Sequence, residues 1–90
     1  MQTADLPGGD LILAGIEDLQ RGDETTAALL VSIGAPRLRR LGYELPITTP
    51  DPEQRLYAFL ARSGAASAHG RYNALIRRLV SFERAAECVR

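Results

Sequence analysis

Apolar residues fall at helical intervals along most of this chain, and no stretch shows the alternation of a strand. Ile12, Ile16 and Leu19 share one stripe with Leu13 beside it. Asp10 stands where an N-cap belongs, Glu17 and Arg21 form an i,i+4 pair in the favourable order, and Gly22 is the stop. The next segment, AALLVSIG, follows a cap at Asp23 or Thr25 and is apolar nearly all round, which predicts a helix at the centre of the fold. Pro36 ends or bends that helix, because proline lacks an N–H and the residue before it avoids the α region. It can equally open a short helix of its own, with Leu38 and Leu41 pointing inward and Gly42 closing the turn.

Residues 43–50, YELPITTP, read as an extended connector. The clearest start signal follows: Asp51 as cap, Pro52 at the first helical position, Gln54 where a capping box needs it. This helix continues through LYAFLA to Arg62, and its unbroken apolar run implies contacts on more than one side. After the small-residue joint GAASAHG, a last helix starts near Ala68 or Arg71 and carries a stripe of Tyr72, Leu75, Leu79, Phe82, Ala86 and Val89, widened by Ile76. Residues 1–9, with Pro7-Gly8-Gly9, offer little that could pack and read as a flexible N-terminal arm. The pattern predicts an all-α fold, a small helical bundle of four main helices plus one short helix after Pro36, in a single domain over residues 10–90.

Composition sharpens this picture in a few places. At 90 residues, a fold buries only about two-thirds of the surface its unfolded chain exposes, so added contacts matter. Apolar residues make up 46% and charged residues 24%, which is ordinary for a globular domain. Eleven basic and eleven acidic residues cancel, whereas phosphate-binding domains usually carry a basic excess. Every basic residue is arginine, which fits the codon bias of a GC-rich, bacterial genome. The single cysteine, Cys88, excludes an intramolecular disulfide. The N-terminus has no signal-peptide pattern and no apolar run could span a bilayer, so a cytoplasmic protein without a membrane partner is expected.

Candidate chemistry is sparse. His69 has no ligand at metal spacing, Cys88 has no activating neighbour, and no phosphate loop or nucleophile elbow is present. No catalytic residue, metal or cofactor is therefore expected, and a small-molecule site between helices rests only on where bundles usually hold pockets. Asn73 sits early in the last helix, where it would cap or bond a partner's backbone. Two surfaces remain. The stripe of the last helix, with Tyr72, Leu75, Leu79 and Phe82 and with Arg78 at its rim, would serve helix-face contact with a protein partner or a homodimer. The alternative is nucleic-acid binding through Arg37, Arg39 and Arg40 together with Arg77 and Arg78, which requires both clusters to lie on one surface. The simpler account of the first cluster is that arginines near a helix C-terminus complement its exposed carbonyls. A helix-turn-helix fits poorly, because the segment between Pro36 and Gly42 is too short to read a groove.

Overall fold

Four α-helices meet the expectation from apolar spacing in the computed structural model: α1 (Gly9–Arg21), α2 (Thr26–Arg40), α3 (Pro52–Ala61) and α4 (Ala65–Cys88), after one 3-10 turn at Thr3–Asp5. The structure describes residues 2–89, with no strand among them.

The turn between α1 and α2 is built from local chemistry. Gly22 takes a left-handed φ of 77°, the Asp23 amide bonds the Asp18 carbonyl at 2.8 Å, and the Gly22 amide bonds that of Leu19 at 3.1 Å. This is a Schellman closure, and it satisfies carbonyls that the end of a helix leaves orphaned. Of the two candidate caps for α2, Thr25 is the one used. Its hydroxyl accepts from the Ala28 amide at 3.1 Å and donates to the Asp18 carboxylate at 2.6 Å, tying the two helices together. At the other end, α1 begins one residue before Asp10, and the residue preceding it is Gly8 at φ 74° with no side-chain cap.

Helix α2 is the buried centre. Ala28, Leu29, Leu30, Val31 and Leu38 are essentially without solvent exposure, and α1, α3 and α4 all pack against it. Pro36 neither ends this helix nor starts another; it lies inside it, on the exposed side. An interior proline costs a helix about 3 kcal/mol. Full burial of a leucine returns about 1.5–3 kcal/mol, and Leu38 and Ala35 pack into the core on either side of the proline, so one axis is kept. The helix closes as expected at Gly42, whose φ of 101° lets the Tyr43 amide reach the Leu38 carbonyl at 3.1 Å.

The connector is extended and is held back onto α2. The Ser32 hydroxyl donates to the Ala28 carbonyl and accepts from the Thr49 amide at 3.2 Å, and Arg39 donates to the Pro46 carbonyl at 3.2 Å. Asp51 precedes α3 as expected but does not cap it with its side chain. It sits at φ 48°, a conformation that aspartate tolerates better than most residues, and its carbonyl accepts from the Arg55 amide. Leu56 and Leu60 are buried while Tyr57 and Ala58 are exposed, so α3 is covered along one side and not all round.

Helix α4 starts at Ala65, earlier than its apolar stripe suggests. It runs beside α2 in the same direction: Gly34 faces Leu79 and Glu83, and Arg37, a turn later, faces Glu83 and Glu87. The described part of the expected arm does pack. Leu6 is buried, the Thr3 hydroxyl lies 3.0 Å from that of Tyr43, and Gly8 crosses α4 so closely that a Cβ there would stand 3.1 Å from the Arg78 carbonyl oxygen. The Tyr43 ring in turn packs 5.7 Å from that of Phe82.

Two glycines set how closely the helices approach. A Cβ on Gly15 would fall 2.3 Å from the Ala27 carbonyl oxygen, and one on Gly34 would fall 2.8 Å from Leu79. Gly70, also helical, faces open space. Gly15→Ala is therefore expected to destabilise the chain by about 1–3 kcal/mol in urea denaturation, because the backbone of α2 must move. Gly70→Ala is expected to stabilise it by about 0.5–1 kcal/mol. Equal effects of the two substitutions would contradict the close α1–α2 crossing.

Candidate interaction surface

Leu79 and Phe82, at the middle of the α4 stripe, are buried within the single chain. Gly34 makes room for the Leu79 side chain against α2, while Gly8 and Tyr43 cover Phe82. Tyr72 and Leu75 are half-buried against the same core, and Arg78 is exposed. The five residues expected to form a contact surface thus divide: Leu79 and Phe82 are core, while Tyr72, Leu75 and the arginine at the edge reach solvent in part. The Tyr72 ring stands 5.7 Å from that of Tyr57, and burial together with the Glu53 carboxylate pushes its phenol above the usual range, so it stays neutral.

The exposed side of α4 has a different composition. Two open clefts flank it. One, of about 320 Å³, is lined by Pro7, Gly8, Ala74, Arg77, Arg78 and Ser81. The other, of about 300 Å³, is lined by Thr26, Leu60, Arg71, Ala74, Leu75 and Arg78. Ala74 and Arg78 belong to both, so the clefts are the two sides of one low ridge. Arg78 lies 3.5 Å from Asp10, Arg71 donates to the Ser63 hydroxyl at 3.2 Å, and Arg77 has no ion pair among the described residues. Arg71 and Ala74 flank the apolar stripe, beside Leu75, and carry no apolar periodicity of their own. Their spacing with Arg78, at i, i+3 and i+7, was the available signal.

The two arginine clusters do not share a surface. Arg77 and Arg78 lie about 120° and 140° around α4 from Glu83, by helical periodicity, and about 9 Å back along the axis. Arg37 is held at Glu83 and Glu87, 3.8 Å and 2.6 Å away, and Arg39 is bonded to the connector. Arg37, Arg40, Leu41 and Glu87 line a third cleft of about 350 Å³, which sets one carboxylate among two guanidiniums.

Glu83 is buried, 5% exposed, where α4 crosses Gly34. Burial pushes its carboxyl above the usual glutamate range, and the Arg37 and Arg40 guanidiniums act in the opposite direction. Its position one residue past Phe82 on the core stripe was the sign that solvent would not reach it. Asn73 does not cap α4, which begins two turns earlier; it lies one turn from His69, side chains 3.1 Å apart. Cys88 is exposed. Among the described residues no cluster of three His, Cys, Asp or Glu could hold a metal ion, and no helix is long and apolar enough to cross a membrane.

No protein family, curated protein or solved structure matches this chain. The arrangement itself defines its class: a small all-α bundle with one buried central helix and an arginine-edged outer ridge.

Because folded Glu83 holds its proton more tightly than the unfolded chain does, its ionisation destabilises the fold as pH rises through the glutamate range. Glu83→Gln should therefore gain in melting temperature relative to the native chain as pH rises from about 4 to 7. A difference that stays constant with pH would show that burial does not govern this carboxyl.

Proposed function

We propose that this chain is a non-enzymatic interaction module that binds a protein surface through the outer side of α4. The observation that carries this reading is the pair of open clefts sharing Ala74 and Arg78 and edged by Arg71 and Arg77. In a chain of zero net charge, these arginines are gathered on one side, and the nearby acidic group Asp10 reaches only one of them. Apolar floor with a charged edge is the anatomy of a protein contact, where guanidinium groups fix orientation and apolar area supplies affinity. The half-buried Leu75 extends the floor, and Leu79 and Phe82 hold the ridge rigid from beneath. Nucleic acid is the weaker reading, because Arg37, Arg39 and Arg40 face elsewhere and Arg37 and Arg39 have partners within the chain.

The test is the size of the protein in a gentle extract of its source cells. A tagged chain is expected to elute well above its own 9.8 kDa. The double variant Arg71→Glu/Arg78→Glu is expected to elute as a monomer with an unchanged melting temperature, since exposed ion pairs contribute at most about 1 kcal/mol. Elution of the native chain as a monomer in that extract would overturn the reading.

A further inference from the structure

The arginine ridge has a counterpart on the same molecule. On α1, Asp10, Leu13, Ala14 and Glu17 stand at i, i+3, i+4 and i+7, and all are exposed. They lie on the side opposite Ile12, Gly15 and Leu19, which pack inward. Leu13, at 36% exposed, is one of few large apolar side chains left open on any helix of the chain. Glu17 has no ion pair among the described residues.

The two stripes match in length and in order. Asp10 to Glu17 and Arg71 to Arg78 each span seven steps along a helix, about 10 Å. One reads acid, apolar, acid; the other reads arginine, alanine, arginine. They also adjoin, because Asp10 and Arg78 come within 3.5 Å at their common border. Among the described residues that border pair is the one ion pair between the two stripes.

We infer that the partner at this surface is a second copy of the chain. The inference rests on the reading that the outer side of α4 is the binding surface. Two copies associate about a two-fold axis passing near the Asp10–Arg78 border. The α1 stripe of each lies on the α4 ridge of the other, Leu13 enters a cleft beside Ala74, and Glu17 meets the arginines. Complementary patches that adjoin on one molecule exchange reciprocally about a two-fold axis, so both contacts form at once and the assembly closes. Complementary charge selects this register over one that sets arginine against arginine.

Sedimentation equilibrium of the purified chain tests the inference. At low salt the mass is expected to rise with concentration toward twice 9.8 kDa and to stop there. The dimer dissociation constant is expected to rise at least tenfold in 0.5 M sodium chloride, as about a 10 Å screening length shortens by half. Glu17→Arg alone and Arg71→Glu/Arg77→Glu alone should each be monomeric, with native circular dichroism and melting. Mixed in equal amounts they should dimerise, because the reversals complement each other in one contact and native charges meet in the other. Three outcomes overturn the inference: a monomeric native chain at every concentration, a dimer that survives both reversals, or a mixture that stays monomeric. A purified monomer that is nonetheless part of a large assembly in the cell extract removes self-association and leaves the α4 surface to a different partner. A monomer in both settings removes the surface as well.

Discussion

A helix that is apolar on every side cannot stand against water, and the rest of this chain is arranged to cover α2. Helix α1 covers it at Gly15, where the lack of a side chain lets two backbones touch. Helix α4 covers it at Gly34, where the space is taken by Leu79. The connector lies back along it through Ser32, and α3 closes the end near Thr26. The same demand keeps α2 in one piece through Pro36, since burial of Leu38 and Ala35 offsets what the proline costs.

This constraint decides what is left for function. The apolar stripe of α4 is committed to the core from Leu79 to Ala86, with Leu79 against α2 and Phe82 under the Gly8 crossing and the Tyr43 ring. Towards its C-terminal end, α4 is fastened by Arg37 to Glu83 and Glu87, with a carboxyl that burial keeps from ionising easily. Its N-terminal and middle turns are less enclosed and turn Arg71, Ala74, Arg77 and Arg78 outward. The helix therefore has an anchored end and a presenting end, and the presenting end borders the acidic outer stripe of α1.

The helices and the central place of α2 were legible because both follow from spacing and from the all-round apolarity of AALLVSIG. Thr25, Gly22 and Gly42 were legible as punctuation because their chemistry is local. What was not legible depended on tertiary packing. Pro36 looks like a break until Leu38 and Ala35 are seen sharing one core. Asp51 looks like a cap until its backbone adopts a left-handed turn. The first residues look unable to pack until Leu6 is found buried and Gly8 against α4. The stripe of α4 reads the same whether it faces a partner or its own core, and only the position of Gly34 against Leu79 decides between them. The ridge beside it does not show in the spacing because arginine and alanine carry no apolar periodicity.

The account holds that one side of α1 and one side of α4 meet between two copies while the core beneath them is unchanged. Amide chemical shifts of the labelled chain, followed from dilute to concentrated solution at low salt, test this most directly. The account predicts concentration-dependent shifts confined to residues 10–17 and 71–81, with the connector and the Arg37–Glu87 end of the bundle unmoved. Shifts centred on Ile47, which is 95% exposed in the connector, or no shifts at all, would contradict it.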